Sequence, residues 1–311
     1  MFKQDTELAI VVGALKSVAE PTRLRLLALL RHAELTVGEL CRILDQSQPR
    51  VSRHLRLLAE AGFLDRFREQ QCVYYRAPPS GARLEWLREL LRHISDAEPT
   101  LLRDQQRMNQ VIAARGIAAE QQLPRPAGPA AAGNSHAQLA AVLQEEVGPV
   151  GIGALLDIGT GSGQMLQILA PRANRALGLD ISTPALRLAR TRVHGAGLSH
   201  CEFRCADMYA LPCEDDAFDT VSMDRVLAAA ARPGAAIAEA ARALRDSGRL
   251  IIVERFDQLE LRLGDNPLRL LRGWLLDAGL SPTRLRPCDL DDGHYLVALA
   301  RRDTAGSSAA P

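Results

Sequence analysis

The sequence lacks several features that would fix its class at once. No stretch of its 311 residues approaches the roughly 18 uncharged apolar residues that a membrane helix needs, so no membrane association is expected. An excess of charge of one sign is missing too: 38 Lys and Arg stand against 37 Asp and Glu. Any nucleic-acid contact must therefore come from a local basic face. The six cysteines (41, 72, 201, 205, 213, 288) form no CxxC pair. That favours reduced thiols and a cytoplasmic setting over a disulfide framework. Lys3, Asp5 and Glu7 spoil the pattern of a signal peptide. Aromatic residues are scarce, at 4%, with none between Trp86 and Phe203.

What is present suggests two domains, at about 150 residues each. Residues 119–134 hold three prolines, two glycines and one large aliphatic residue, Leu123. Such a stretch has little to bury and reads as a linker. The expected division is 1–98, a helix and linker over 99–134, a second domain over 135–302, and a frayed tail over 303–311.

The first part is helix-rich. Leu8, Val11, Val12 and Leu15 recur at helical spacing, and Pro21-Thr22 opens a second helix. Thr36 with Glu39 has capping-box spacing and starts a short helix through Leu44. Ser47 is a second expected N-cap, followed by Pro49 and a helix that stops at Gly62. Phe63–Ala77 alternates around the polar run Arg68-Glu69-Gln70-Gln71, the pattern of a hairpin. Leu84, Leu87, Leu91 and Ile94 mark a further helix. Helix, turn, helix and hairpin together outline a winged helix-turn-helix, mostly α with a β wing.

Its second helix turns Val51, Leu55 and Leu58 inward. Ser47, Gln48, Arg50, Ser52, Arg53, His54 and Arg56 remain as DNA-binding candidates, with Arg68 on the wing. Such a face offers donors to a major groove and cations to phosphates. The segments Leu15–Leu27, Ser47–Leu55 and Val73–Arg76 resemble the ArsR/SmtB family of bacterial winged-helix repressors. The resemblance covers roughly the first 95 residues. It implies a homodimer, paired through the first helix and the helix around 82–95, on a two-fold-symmetric operator. The family's metal-sensing pattern is incomplete here. Only Cys41 remains of the paired cysteines, and His93, Asp96 and Glu98 do not supply the zinc-type set. One soft ligand builds no trigonal thiolate site, so no metal is expected.

The second part alternates strand and helix. Strands are expected at Ala154–Ile158, Arg175–Leu179, Cys201–Arg204, Thr220–Met223, Arg249–Val253, Thr283–Arg286 and Tyr295–Ala300. That is an α/β Rossmann-like fold with a mostly parallel seven-stranded sheet. The short connection Pro287–His294 makes the last two strands antiparallel to each other. Leu155–Gly163 is a strand running into a G-x-G-x-G turn at Gly159, Gly161 and Gly163. Gln164 stands where a dinucleotide fingerprint needs glycine. Asp157, just before the turn, would repel a pyrophosphate and suits a cationic amino-acid end. Asp180, 17 residues past Gly163, can accept from ribose hydroxyls. Asp207 and Met208 offer a carboxylate and an apolar side chain to adenine.

These blocks, with Asp180-Ile181-Ser182 and Phe218–Val221, resemble class I S-adenosylmethionine-dependent methyltransferases over roughly Ala137–Arg301. The resemblance implies S-adenosyl-L-methionine as cofactor. Asp157 and the three glycines would hold its methionine end, Asp180 the ribose, and Asp207 with Met208 the adenine, with Ile181 a further cofactor-binding residue. Catalytic residues are not identified, since orientation alone can carry much of a methyl transfer. The run Ser222–Leu227 is not the Asn-Pro-Pro-aromatic loop of amine methylation, which argues against a DNA-base methyltransferase. Cys201, Cys205 and Cys213 form a thiol trio more consistent with core and surface positions than with arsenite methylation. Two readings stay open. Either the domain methylates a small molecule, or it senses S-adenosylmethionine or S-adenosylhomocysteine for the repressor without catalysis.

Overall fold

The computed structural model describes residues 8–78, 81–95, 97–123, 135–264 and 266–303. The expected linker residues 124–134, the start of the chain, Asp96 and residues 304–311 of the tail lie outside them. The chain divides into two compact units between Ala118 and Ala119.

The N-terminal unit opens with α1 (Leu8–Val18) and α2 (Pro21–Leu30). Glu20 caps α2, its carboxylate accepting from the Arg23 amide at 2.8 Å. A two-residue strand β1 (Leu35–Thr36) then leads into α3 (Val37–Leu44). The Thr36–Glu39 capping box is present in both directions. Asp45, in a left-handed conformation, ends α3 and makes the turn into α4 (Gln48–Glu60). Ser47 holds the cap position of α4 but makes no side-chain cap bond. The wing is β2 (Asp65–Glu69) and β3 (Cys72–Arg76), followed by α5 (Ala82–Arg92) and α6 (Pro99–Gln122). β1 adds a third strand to the hairpin, in the order β1-β3-β2. The hairpin tip is Gln70-Gln71, while Glu69 is buried within β2.

The core of this unit gathers Leu26, Leu40, Ile43, Val51, Leu55 and Phe63. The unit runs past the expected limit at residue 98 because α6 packs into it. Met108 and Ile112 join the core. Buried Asp104 takes a two-pronged bond from Arg25, at 2.6 and 2.7 Å. Arg115 reaches Glu39 at 3.3 Å, and both side chains are buried. Helix α6 also continues through Ala119–Gln122, which the composition assigned to the linker. Ala, Glu and Gln are good helix formers, and the prolines come only after them.

The C-terminal unit contains α7 (Ser135–Val147), β4 (Gly153–Ile158), α8 (Gln164–Leu169), β5 (Ala173–Asp180), α9 (Thr183–Gly195) and β6 (Cys201–Cys205). After a loop come β7 (Phe218–Asp224), α10 (Pro233–Ala243), β8 (Leu244–Arg255), α11 (Phe256–Leu263), α12 (Pro267–Asp277), β9 (Leu280–Leu290) and β10 (Gly293–Arg302). The sheet order is β6-β5-β4-β7-β8-β10-β9. β6 through β8 are parallel. β10 runs antiparallel to both neighbours, β8 and β9. Successive strand residues point to opposite faces, so two cores form. Leu156, Val221 and Ile252 pack with α10 and α12 through Ile237 and Leu275. Leu155, Ile251 and Val297 pack with α7, α8 and α9 through Leu143, Leu166 and Leu186. This is a Rossmann-like sheet covered on both faces.

Candidate functional sites

In the N-terminal unit, α4 buries Val51, Leu55 and Leu58 and leaves Ser47, Gln48, Arg50, Arg53 and Arg56 exposed, with Ser52 half-buried. A groove of about 760 Å³ lies between this helix and the wing. Ser52, Arg53 and Arg56 line it from the helix, and Arg66 and Tyr75 from the strands. Arg66 is a cation that sequence reasoning missed. It shares the exposed face of β2 with Arg68, and that two-residue spacing was the available signal. Arg68 instead donates from Nε to the Gln70 carbonyl at 2.9 Å, which holds it along the hairpin tip. His54 differs from the expectation. Its side chain is 14% exposed and its Nδ1 lies 3.6 Å from Glu20, so it faces the cap of α2 rather than the open side. The helical period puts position 54 at the edge of the buried stripe, close enough for α2 to cover it.

Cys41 is half-buried in α3, and burial pushes its thiol pKa up.

In the C-terminal unit the glycine turn follows β4. Gly159, Gly161 and Gly163 have φ of 67°, 53° and 84°, a region that other residues avoid. The three differ in surroundings. A Cβ at Gly159 would lie 2.5 Å from Val226, and one at Gly163 would lie 2.6 Å from Val193. At Gly161 the nearest atom would be 3.9 Å away. Two glycines thus serve close packing, and the middle one keeps an open flank of backbone.

Asp180, at the end of β5, ties this turn down. Its Oδ2 accepts from the Gly161 amide at 2.9 Å and its Oδ1 from Ser182 at 2.7 Å. Next to it, Ile181 is 71% exposed, a large apolar side chain left in the open. Beyond β6, Asp207 is exposed and accepts from the Tyr209 amide at 3.0 Å, while Met208 is half-buried. Strand ends therefore bring the glycine turn, Asp180, Ile181, Asp207 and Met208 to one edge of the sheet.

Asp157 does not join that rim. It is 1% exposed and lies beneath the turn. It accepts from Thr160 at 2.6 Å and Ser222 at 2.7 Å. Burial pushes its carboxyl up to about 7, against the pull of those two bonds. Its contribution is to fix the turn from below. The alternation of β4 explains this, since Asp157 points to the face where Leu155 is buried.

Sequence reasoning also missed two residues after and beside β7. Arg225 follows β7 with a left-handed φ of 55°, which no sequence signal announces. Glu254 closes the aliphatic run Leu250–Val253 and is fully buried. It accepts from the Leu227 amide at 2.5 Å, and burial raises it to about 7. The thiols do not converge. Cys201 is buried and Cys205 exposed at opposite ends of β6, about 13 Å apart along a strand. Cys213 is half-buried near Arg242.

The fold and these sites define a winged helix-turn-helix module joined to a Rossmann-like methyltransferase domain. A family model described as a bacterial regulatory protein, arsR family, matches residues 20–66, and one described as a methyltransferase domain matches 156–252. The biofilm growth-associated repressor of Agrobacterium fabrum is 45% identical over 85 residues, 27% of this chain and 70% of that protein. The arsenic resistance transcriptional regulator ArsR1 of Pseudomonas putida is 43% identical over 83 residues, 26% of this chain and 63% of that protein. The demethylmenaquinone methyltransferase of Thermus thermophilus is 36% identical over 102 residues, 32% of this chain and 46% of that protein. The chain thus spans less than two thirds of the latter two. The chain belongs to the arsR family of bacterial regulatory proteins and carries a methyltransferase domain in addition.

Proposed function

We propose that the protein is a DNA-binding transcriptional regulator whose C-terminal domain binds S-adenosylmethionine and methylates a small molecule. The arginine-lined groove between α4 and the wing supports the DNA reading, since Arg53, Arg56 and Arg66 can face phosphates while Gln48 and Arg50 reach base edges. Self-association is part of the proposal. α1 leaves Leu8, Ile10, Val11, Val12 and Leu15 exposed, an apolar patch that a second copy would cover. In α5, Leu84, Leu87 and Leu91 are already buried in the unit's own core, so α1 is the better candidate for pairing.

The observation that carries the cosubstrate reading is the open flank of Gly161 beside Asp180 and Ile181. A backbone that lacks a Cβ admits close approach of a nucleoside ligand. Asp180 keeps lone pairs for ribose hydroxyls, and Ile181 and Met208 offer apolar faces to adenine. The donor set therefore fits S-adenosylmethionine, which supplies a methyl group activated by a sulfonium. The chain's own part is to bind and orient.

A sensor role is the second reading. The run Leu227–Ala231 after β7 is leucine and alanine only, so this loop gives an acceptor no polar side chain. Two measurements decide. Calorimetry with S-adenosylhomocysteine should show stoichiometric binding, and NADH should not compete; the reverse overturns the cosubstrate reading. Gel shifts on DNA upstream of the gene, with and without S-adenosylmethionine, read the regulator. Transfer of labelled methyl to extract metabolites favours the enzyme. A ligand-dependent gel shift without any transfer favours the sensor.

A further inference from the structure

The order of the sheet reverses between β4 and β7. β5 and β6 lie on one side of β4, and β7, β8, β10 and β9 on the other. Such a reversal opens a crevice beyond the carboxyl ends of the strands, where open α/β sheets take their ligands. The glycine turn after β4 forms one lip of this crevice. The other lip is Asp224-Arg225, at the end of β7.

Arg225 is held there with unusual care. Its φ of 55° lies in the left-handed region, which an arginine rarely adopts without a reason. Its amide donates to the Val253 carbonyl at 2.8 Å, so β8 fixes the backbone. Its Nε and Nη2 donate to the two carboxylate oxygens of Asp224, at 3.1 and 3.0 Å. Nη2 also donates to Oε1 of Gln164 at 3.0 Å. Gln164 follows Gly163 directly, so the guanidinium spans the crevice from one lip to the other. It is 42% exposed while Asp224 is 8% exposed. The carboxylate is therefore largely covered, and the cation faces outward with Nη1 outside these bonds.

We propose that Arg225 is the residue that binds the α-carboxylate of the adenosyl amino-acid ligand. The assignment rests on the cosubstrate reading above. That ligand carries one anionic group, while Asp157, Asp180 and Asp207 around the turn are acids, and Arg192, which shares a groove with Ser162 and Gln164, is already paired with Glu120 at 2.7 Å. A guanidinium offers a planar fork that matches a carboxylate. The Asp224 pairing and the left-handed backbone hold the fork in place before a ligand arrives, which lowers the ordering cost of binding. The competing role is purely structural: Arg225 would only neutralise Asp224 and pin Gln164.

The test uses the full chain and two ligands. S-adenosylhomocysteine carries the amino-acid end, and 5′-methylthioadenosine keeps the adenosine and thioether without it. Arg225→Gly removes the guanidinium and relieves the left-handed backbone, and the Asp224→Asn, Arg225→Gly pair also removes the covered carboxylate that the single change leaves unpaired. Calorimetry should show S-adenosylhomocysteine affinity reduced by about tenfold or more, with 5′-methylthioadenosine affinity unchanged. Arg225→Lys should recover part of the loss, as a point charge without the fork. The Asp224→Asn, Arg225→Gly pair should keep the loss, which separates a missing cation from repulsion by a freed carboxylate. Equal losses for both ligands, or no loss for either, overturn the assignment and leave the cosubstrate reading standing. A wild-type chain that binds neither ligand overturns both.

Discussion

Alanine at Gly161 and alanine at Gly163 should separate binding from folding. Both positions hold a left-handed backbone, which costs an L residue roughly 1–2 kcal/mol. At Gly161 the added methyl meets nothing closer than 3.9 Å, so that strain is the whole penalty. At Gly163 it also meets Val193 at 2.6 Å and Ala189 at 3.4 Å. Overpacking of this kind adds about 1–3 kcal/mol. Gly163→Ala should therefore destabilise the C-terminal unit about twice as much as Gly161→Ala. Urea unfolding followed by Trp274 fluorescence, in a Trp86→Phe background, reports this unit alone, because the chain has two tryptophans. Binding should rank the other way. The methyl at Gly161 projects into the open flank where the proposed ligand's chain would lie, and affinity for S-adenosylhomocysteine should fall about tenfold or more, which is roughly 1.4 kcal/mol. Gly163→Ala, measured where it is still folded, should bind nearly as the wild type does. Full affinity in Gly161→Ala would refute the reasoning, as would equal destabilisation by the two variants.

Three further outcomes are expected. Glu254 has its carboxyl raised to about 7, chiefly by burial, so between pH 4.5 and 7 the native state holds a proton that the unfolded chain releases. Its stabilising contribution is complete below pH 4.5 and is lost as pH rises through 7; Glu254→Gln should flatten that decline by roughly 1–3 kcal/mol in urea titrations across this range, and an unchanged slope counts against it. Arg66→Ala should weaken operator binding and lower the slope of log affinity against log salt by about one in fluorescence anisotropy, as loss of one phosphate contact does; an unaltered slope removes Arg66 from the interface. Leu15→Glu on the exposed face of α1 should shift the chain toward monomer in sedimentation velocity, whereas an unshifted distribution would place any pairing elsewhere.

Much of the fold was legible because its signals are local and periodic. The capping box at Thr36, the stop at Gly62 and the seven strands of the sheet all sit close to where spacing put them. β1 was not legible, since two residues carry no period. The site was legible as a set of strand ends but not as a geometry. Asp157 and Asp180 look alike in the sequence, one before a glycine turn and one after a strand. The pleat buries the first and leaves the second at the edge, and only the stacking of β4 between β5 and β7 decides that. His54 fell on the wrong side because a recognition helix is read by its polar residues, and the cover supplied by Glu20 comes from another helix. Arg225 was invisible for a different reason: its backbone conformation is imposed by a bond to β8, far away in sequence.

The reach of α6 into the N-terminal core bears on how such genes can be cut and joined. The arsR-family match ends at residue 66, yet Arg25 and Glu39 find their partners at Asp104 and Arg115. A fragment ending at Glu98 would take away the partners of Arg25 and Glu39 and uncover the part of the core that Met108 and Ile112 close. Any splice that moved this winged-helix head onto another domain would therefore have to carry the long helix with it, and the natural breakpoint falls downstream of Ala118.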